Sequence, residues 1–324
     1  MKRSRDHGQL EGRSGLDISV VIPLLDEEEN IAFLHSSLHD VLEETGKGYE
    51  IIFVDDGSRD GSFAVLTTLH DEDPNHIRVI HFRRNFGKTA ALTAGFGKAR
   101  GEVIVTMDAD LQDDPQEIPR LLDRLEEGYD MVVAWRRDRQ DPLSKRLPSR
   151  IFNGTVSFLT RVHLHDLNCG FKAFRREVIA NLKLYGELHR FIPVLAHWRG
   201  YRVTELAVVH HPRKYGRSKY GVERLGRAFV DFLVVLFLTR YLKRPLQLFG
   251  GIGAVLFLLG FGIGAYHIVL WLRLGGIGFR PLLFAGILAM IVGVQIASIG
   301  LLGEMIRRFT YHPEEEYSID REMG

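Results

Sequence analysis

The sequence predicts an α/β domain with a mostly parallel sheet, followed by a membrane-embedded part. Short β-branched runs alternate with helix-length segments from Ile18 onward, and acidic clusters directly follow two of these runs. Such alternation is typical of βαβ units. No charged residue occurs between Arg244 and Arg273, or from Pro281 to Gly303. Each uncharged run exceeds the ~20 residues that a helix needs to span ~30 Å of hydrocarbon.

Composition excludes several classes of protein. The 324 residues include 42 Lys and Arg against 41 Asp and Glu, a net charge of +1, and this balance argues against a nucleic-acid-binding protein. Hydrophobic residues at 45% and charged residues at 26% exclude wholesale disorder. The single cysteine, Cys169, excludes an intramolecular disulfide framework and a cysteine-rich zinc site.

Five strands are predicted before the membrane part, with a helix through about Glu44 after the first of them. In parallel sheets, ligands bind at the carboxyl ends of the strands, and the acidic clusters fall at these ends. The predicted strands are Ile18–Ile22, Glu50–Val54, Ile77–His81, Val103–Met107 and Met131–Ala134.

The densest acidic cluster follows the fourth strand. Asp108 and Asp110 are separated only by Ala109, so their carboxylates repel each other unless a cation lies between them. Hard oxygen ligands without Cys or His nearby suit Mg²⁺ or Mn²⁺. The alternative is a solvated acidic turn before the next helix, and it explains Asp113 and Asp114 equally well.

Two further clusters follow the second and third strands. Asp55 ends the second strand, where a carboxylate can hydrogen-bond a ribose or a base. Lys88 ends a basic loop that opens a helix of small residues, and this loop is either a pyrophosphate cradle or a solvated turn. Neither a Gly-x-Gly-x-x-Gly run after the first strand nor a P-loop motif is present, which disfavours dinucleotide oxidoreduction and P-loop hydrolysis.

Motifs in a characteristic order connect these clusters to a known family. They are Pro23-x-x-Asp-Glu27, Asp55-Asp56-Gly57-Ser58, Asn85-x-Gly-Lys88 and Asp108-x-Asp110, followed by the segments 168–172, 186–192 and 213–220. In this order they resemble the family 2 glycosyltransferases. More closely, they resemble the polyprenyl-phosphate glycosyltransferases, a group with dolichyl-phosphate mannose synthase and bacterial undecaprenyl-phosphate sugar transferases. The resemblance spans about residues 18–220, and the paired C-terminal spans match the two-helix members.

The resemblance implies a GT-A fold, a nucleotide-sugar donor, a polyprenyl-phosphate acceptor and a bound Mg²⁺ or Mn²⁺. Donor binding would involve Pro23, Glu27, Asp55, Lys88, Asp108 and Ala109, and the metal ligands would be Asp108, Asp110 and Gln112. Asp110, Asp166, Arg217 and Lys219 are the candidate catalytic residues. Asp166 is the candidate general base if one is used, and a structural cap is the alternative, because an ionised phosphate is already a nucleophile near neutral pH. His189 and Arg190 are weaker acid–base candidates.

Cations later in the chain are candidates for binding the acceptor phosphate, since the planar fork of arginine suits phosphate oxygens. The alternative is a polybasic strip attracted to anionic lipids. The candidates are Arg136, Arg150, Arg213, Arg217 and Lys219, with Arg137 beside the first of them.

The predicted organisation has five parts. A disordered lead (1–16) precedes a catalytic domain (17–220), a juxtamembrane amphipathic helix (221–244), two spans at about 246–272 and 281–303, and a tail (304–324). The helix at 221–244 lies on the membrane surface or packs on the soluble domain. Arginines and a lysine flank the spans at 240–244 and 307–308, which places the catalytic domain and both termini in the cytoplasm, with a bacterial inner membrane favoured. Glycines in the spans indicate helix association and a homo-oligomer.

The expected activity is that of a membrane-anchored glycosyltransferase, and inversion at the anomeric carbon is implied by the resemblance alone. It would move one sugar from a UDP-sugar, or from GDP-mannose, to undecaprenyl or dolichyl phosphate. The alternatives are another lipid acceptor or a catalytically inactive membrane scaffold. A processive polysaccharide synthase is disfavoured, because the Gln-x-x-Arg-Trp motif and a larger membrane bundle are missing from the sequence.

Overall fold

The computed structural model describes residues 16–137, 162, 164–180, 182, 184, 186, 188–211, 245–275 and 281–309. The chain divides into two compact units, Met1–Asp231 and Phe232–Gly324. The predicted lead up to residue 15, the predicted helix at 221–244 and the tail from residue 310 lie outside the described residues.

The first unit alternates strands with helices, and all five predicted strands are present close to their predicted bounds. The strands are β1 (Ile18–Leu24), β2 (Tyr49–Asp55), β3 (Ile77–His81), β4 (Val103–Thr106), β5 (Met131–Arg136), β6 (Lys172–Arg175) and β7 (Val203–Val208). The helices are α1 (Glu28–Glu44), α2 (Ser62–Glu72), α3 (Lys88–Phe96), α4 (Ile118–Glu126), α5 (Arg176–Ala180) and α6 (Ile192–Trp198). Short 3₁₀ turns occupy Pro115–Glu117 and Leu188–Phe191.

The strands form one mixed sheet in the order β3-β2-β1-β4-β6-β5-β7. The β3, β2, β1 and β4 strands are parallel to one another, β7 is parallel to β5, and β6 runs antiparallel to both of its neighbours. The prediction of a mostly parallel sheet is therefore confirmed. The chain runs from β1 through β2 to β3 at one edge and then returns to add β4 on the other side of β1. Such a reversal leaves a crevice at the carboxyl ends of the strands, where ligands bind in open α/β sheets.

The core of this unit lies on both faces of the sheet. Every residue of β1 and β2 is buried, as expected for parallel strands covered by helices on both sides. Helix α1 buries Ile31, Leu34, Leu38 and Val41, whose helical spacing places them on one face. Each such side chain contributes about 1.5–3 kcal/mol when it is fully buried.

Helix α3 approaches the sheet closely because residue 95 is glycine. A Cβ built on Gly95 would lie 2.4 Å from Val21 Cγ1 and 3.2 Å from Val54 Cγ2. Both valines belong to buried central strands, so they have little room to move. The glycine therefore sets the depth of the helix that begins at Lys88.

A buried carboxylate joins the strands at the amino end of the sheet. Glu50 Oε1 accepts hydrogen bonds from Ser19 Oγ–H (2.7 Å) and from the Arg100 backbone N–H (2.7 Å). Its second oxygen, Oε2, accepts from Arg100 Nε–H at 3.0 Å. Burial alone would raise the pKa of Glu50, but these hydrogen bonds and the arginine charge hold it below its usual range. The group ties β1 and β2 to the segment that leads into β4.

The second unit contains two long apolar helices, α7 (Pro245–Leu274) and α8 (Pro281–Phe309). Both have the length and composition of membrane-spanning helices. They pack through glycines: a Cβ on Gly253 would lie 2.4 Å from the Gly293 carbonyl oxygen, and one on Gly260 would lie 2.3 Å from the Gly286 carbonyl oxygen. Small residues at these contacts let the two backbones approach, as in membrane helix pairs.

Gly95→Ala tests the close packing of α3. We expect a loss of about 1–3 kcal/mol in the free energy of unfolding, because the added methyl group overlaps Val21 in a packed core. Thermal unfolding of the detergent-solubilised chain, followed by circular dichroism, measures the change as a lower midpoint. Gly97→Ala, just beyond the same helix, meets only ordinary van der Waals contacts and is the matched control. Equal midpoints for the two variants would contradict the packing argument.

Candidate functional site

The candidate site lies at the carboxyl ends of β1, β2 and β4, and its first member is Asp55. This carboxylate is fully buried at the end of β2. Its Oδ1 accepts hydrogen bonds from the Ser58 N–H (2.9 Å) and hydroxyl (2.6 Å), and its Oδ2 lies 2.8 Å from His81 Nδ1. The Phe63 ring packs against His81, with 4.2 Å between the ring centroids. Asp55 therefore organises an aromatic-walled corner at this end of the sheet.

The neighbouring carboxylate, Asp56, holds the loop that leads into α3. It accepts hydrogen bonds from the backbone N–H groups of Phe86 (2.7 Å) and Gly87 (2.9 Å). Burial raises the pKa of Asp56, although these two hydrogen bonds oppose the rise. Gly57 has φ +74°, and a Cβ there would lie 2.5 Å from the Arg84 carbonyl carbon, so the loop rests directly on this turn. The backbone at Lys88 is thereby fixed in place.

Lys88 and Asp108 meet across the site. The Lys88 ammonium forms an ion pair with Asp108 Oδ1, and both side chains are only partly buried. Burial alone would raise the pKa of Asp108, but Lys88, and after it Lys172 and Arg136, hold it below its usual range. A Cβ on Gly170 would lie 2.6 Å from Asp108 Oδ1, so only glycine lets the backbone at residue 170 pass this close to the carboxylate.

The other predicted metal ligands lie on the turn after β4. Asp110 is 8% exposed, and its Oδ1 accepts a hydrogen bond from the Gln112 N–H at 3.2 Å. Leu111 between them has φ +57°, a left-handed conformation that turns the chain sharply. Ala109 is buried. The Gln112 carbonyl accepts from the His211 N–H at 2.8 Å, which ties this turn to the end of β7.

The remaining acidic residues of this turn have structural partners. Asp114 accepts a hydrogen bond from the Gln116 N–H at 3.0 Å and caps the 3₁₀ turn that follows. His211 Nε2 lies 3.1 Å from the second oxygen of Asp114. Asp113 is buried and bridges to His210. Within the described residues, no group of three or more His, Cys, Asp or Glu is arranged to hold a metal ion. A metal at Asp108 and Asp110 would therefore draw further ligands from outside this set.

Residues at the end of β1 connect the first loop to the second. Pro23 lies in β1 beside Val54 of β2. Glu27 precedes α1, where its carboxylate accepts from Asn30 Nδ2–H (2.6 Å) and its N–H donates to Ser62 Oγ (2.9 Å). This hydrogen bond therefore ties the loop after β1 to the loop after β2.

Asp166 and Arg136 form a buried, two-pronged ion pair. Arg136 Nε–H donates to Asp166 Oδ2 at 2.7 Å, and Nη2–H donates to Oδ1 at 3.1 Å. Fork-to-fork pairs of this kind fix orientation as well as charge. Both carboxylate oxygens are engaged, so the geometry favours the structural alternative for Asp166 over a general base.

Lys172 is a site residue that sequence reasoning missed. It lies in β6, is 4% exposed, and its ammonium donates to the Cys169 carbonyl oxygen. Burial lowers its pKa to about 8, although Asp108 and Asp166 nearby favour the charged form. The sequence feature that could have indicated this residue is a lysine directly after the apolar segment Cys169–Phe171.

His189 also belongs to this cluster, as a neutral group. Its Nδ1 shares a hydrogen bond of 2.7 Å with Thr89 Oγ1, and the side chain is buried. Burial, with Lys88, Arg190 and Lys172 nearby, lowers its pKa to about 2. A group with so low a pKa is a poor proton acceptor near neutral pH, so the structure disfavours His189 as a general base. Its hydrogen bond instead joins the turn at 188–191 to α3.

Several predicted acceptor-binding residues lie outside the described residues. Arg136 is placed beside Asp166, and Arg137 follows it at the end of β5. The others, Arg150, Arg213, Arg217 and Lys219, are not among the residues that the structure describes.

The fold is shared with solved enzymes. Glucosyl-3-phosphoglycerate synthase from Mycobacterium tuberculosis, solved with Mn²⁺, uridine diphosphate and phosphoglyceric acid, superposes with a TM-score of 0.55. The match covers 70% of this chain and 79% of that one at 21% sequence identity, so the likeness is one of fold. The likeness shows that the first unit has the Rossmann-like mixed sheet of the GT-A fold, which confirms the predicted fold class.

The family follows from sequence comparison. Residues 19–183 match glycosyl transferase family 2, and the chain belongs to this family. Residues 244–309 match the GtrB C-terminal hairpin, which confirms the predicted resemblance to two-helix members and supports membrane anchoring through α7 and α8.

Relatives at higher identity cover nearly the whole chain. A dodecaprenyl-phosphate galacturonate synthase of Rhizobium johnstonii is 38% identical over 312 residues, which is 93% of this chain and 90% of that protein. An undecaprenyl-phosphate 4-deoxy-4-formamido-L-arabinose transferase of Pseudomonas aeruginosa is 37% identical over 293 residues, covering 90% of this chain and 85% of that protein.

His189→Gln tests the buried neutral imidazole through the pH dependence of stability. The folded pKa of about 2 lies below the ordinary value of 6.5, so between these values the unfolded chain binds the extra proton and stability falls as the pH falls. The wild type should lose about 2 kcal/mol more than the variant between pH 7 and pH 5. Chemical denaturation at pH 7, 6 and 5 measures the difference. His197→Gln at an exposed position is the control, and parallel curves for wild type and His189→Gln would contradict the assignment.

Proposed function

We propose that this protein transfers one sugar from a nucleoside-diphosphate sugar to the phosphate of a polyprenyl phosphate. The observation that carries the proposal is the position of Asp108 and Asp110 at the reversal of strand order, with the Lys88 ammonium facing them. The names of both relatives support the acceptor, because each is described as acting on a polyprenyl phosphate. The products are a polyprenyl-phosphate sugar and a free nucleoside diphosphate.

The donor diphosphate would bind between the turn after β4 and the amino end of α3. Asp108, Asp110 and Gln112 would hold Mg²⁺ or Mn²⁺, and their oxygen donors suit either ion. The backbone at Gly170, where a Cβ would overlap Asp108, leaves that carboxylate accessible without a competing side chain. When bound, the ion would neutralise negative charge on the leaving diphosphate. The solved enzyme of the same fold, crystallised with Mn²⁺ and uridine diphosphate, supports this donor class.

The nucleoside would lie at the ends of β1 and β2. Pro23 and Glu27 line one side, and Asp55 with the Phe63 and His81 rings lines the other. The hydrogen bond from the Glu27 N–H to Ser62 Oγ holds this corner in a fixed shape. Ala109, which is small and buried beside the paired aspartates, would leave room for the sugar.

The acceptor phosphate is the nucleophile. It is ionised near neutral pH, so catalysis would depend on placing it in line with the anomeric carbon and on stabilising the leaving group. In this arrangement the ion pair between Arg136 and Asp166 would stabilise the conformation of the acceptor side of the site. We propose Arg150, Arg213, Arg217 and Lys219 as the cations that bind the phosphate. Inversion at the anomeric carbon follows from a single displacement.

The helices α7 and α8 would anchor the enzyme in the membrane that contains its lipid substrate. The flanking arginines and lysine at 240–244 and 307–308 favour a cytoplasmic catalytic unit and cytoplasmic termini, in a bacterial inner membrane. A Cβ built on Gly251 or Gly262 of α7 meets no atom of the described residues within 4 Å. These glycines support self-association of the hairpin as a homo-oligomer.

Asp110→Asn tests the paired aspartates. We expect transfer to fall at least about 100-fold, because the neutral amide binds a divalent cation weakly and no longer supports charge stabilisation at the diphosphate. Transfer of radiolabelled sugar to undecaprenyl phosphate in detergent, with Mn²⁺ and then with EDTA, measures the effect. Asp114→Asn on the same turn is the control, since an asparagine still caps the 3₁₀ turn. Full activity of Asp110→Asn would remove the basis for the metal site.

A panel of labelled donors tests the substrate class. It should include UDP-galacturonate, UDP-4-deoxy-4-formamido-L-arabinose, UDP-glucose, UDP-N-acetylglucosamine and GDP-mannose. We expect one of them to give a labelled lipid that EDTA suppresses. Release of nucleoside diphosphate without lipid labelling would contradict the acceptor assignment and favour another lipid. If neither reaction occurred with any donor, the inactive scaffold would be favoured instead.

A further inference from the structure

We propose that the Lys88 ammonium is a placeholder cation that competes with the divalent metal for Asp108, so that metal and nucleoside diphosphate bind together. This inference rests on the proposed function and concerns the order in which its ligands bind. It assigns Lys88 a second role besides contact with the donor.

Lys88 and the metal would bind the same carboxylate. The Lys88 ammonium pairs with Asp108 Oδ1, one of the two oxygens through which this carboxylate would bind a metal. At the short distances of direct coordination, an ammonium group and a divalent cation on the same oxygen repel each other strongly. The lysine and the metal therefore compete for the negative charge of this carboxylate.

The Lys88 side chain has room to move, whereas its backbone is held in place. Asp56 holds the backbone N–H groups of Phe86 and Gly87 immediately before α3, and Gly95 seats the helix on the sheet. The Lys88 and Asp108 side chains are 29% and 36% exposed, so the ammonium can swing away from Asp108 toward an incoming anion. The four-carbon stem of lysine permits such a movement without any change in the fold.

Without a diphosphate, the protein offers only a weak metal site. Within the described residues, no group of three or more His, Cys, Asp or Glu is arranged to hold a metal. Mg²⁺ prefers six oxygen ligands and is commonly bound through one or two carboxylates together with substrate phosphates. Lys172 and Arg136 add positive charge around Asp108, which further disfavours a metal that arrives alone. The negative charge of a bound diphosphate would stabilise both the metal and the displaced lysine ammonium.

Mn²⁺ binding to the full-length protein in detergent, measured by electron paramagnetic resonance without and with uridine diphosphate, tests the inference. Lys88→Met removes the charge and keeps most of the side-chain length. We expect it to bind Mn²⁺ alone about 10-fold more tightly than the wild type does. Uridine diphosphate should then raise its Mn²⁺ affinity by a smaller factor than it does for the wild type.

Two further variants make the result specific. Lys88→Arg keeps the positive charge and should bind Mn²⁺ alone as weakly as the wild type. Lys98→Met makes the same chemical change just beyond the other end of α3, at an exposed position, and should leave Mn²⁺ affinity unchanged. Circular dichroism of each variant checks that the fold is retained.

The outcomes separate this inference from the proposed function. Mn²⁺ binding to the wild type with uridine diphosphate, combined with unchanged Mn²⁺ affinity in Lys88→Met, would overturn the placeholder role alone. Equal tightening in Lys88→Met and Lys98→Met would also overturn it, because a general charge effect would then explain both. If no variant bound Mn²⁺ even with uridine diphosphate, the placeholder role and the metal site of the proposed function would both fall.

Discussion

Complete burial of β1 and β2 is the constraint on which the rest of the catalytic unit depends. Strands covered on both faces have no room for charged side chains along their length. Charged groups of the central sheet therefore collect at the strand ends. At the amino end, Glu50 forms a closed network with Ser19 and Arg100 that stabilises the fold. At the carboxyl end, Asp55 and Asp108 face loops that can admit a ligand. The same rule thus produces a structural cluster at one edge and a candidate site at the other.

Local patterns in the sequence predicted most of the strands, whereas contacts between residues far apart in the chain could not be predicted from it. The β-branched runs and the aspartates that follow them are local signals, so the strands and the position of Asp108 were predictable. The Thr89–His189 hydrogen bond joins residues 100 positions apart, and the Arg136–Asp166 pair joins residues 30 positions apart. No periodicity encodes such pairs. Strand β6 was missed because it has only four residues and contains Lys172, a buried lysine to which only folding brings the Asp108 carboxylate.

The two units of the chain divide the physical problem of the proposed reaction. A sugar nucleotide is soluble and highly charged, whereas a polyprenyl phosphate is confined to a membrane. The first unit provides a polar crevice with fixed loops, and the second provides two apolar helices whose glycines allow close packing. Neither requirement compromises the other, because the charged residues and the apolar spans occupy separate stretches of sequence.

The antiparallel strand β6 has a consequence for how such enzymes diversify. It lies between β4 and β5 in the sheet, although about 35 residues of chain separate it from the end of β5. That connection therefore leaves and re-enters the sheet at two anchored points. Its length and sequence can change during evolution while the half of the sheet from β1 to β4 keeps its geometry. In the proposed function, the half of the sheet that would bind the donor could in this way stay constant while the rest of the chain adapts to a different acceptor.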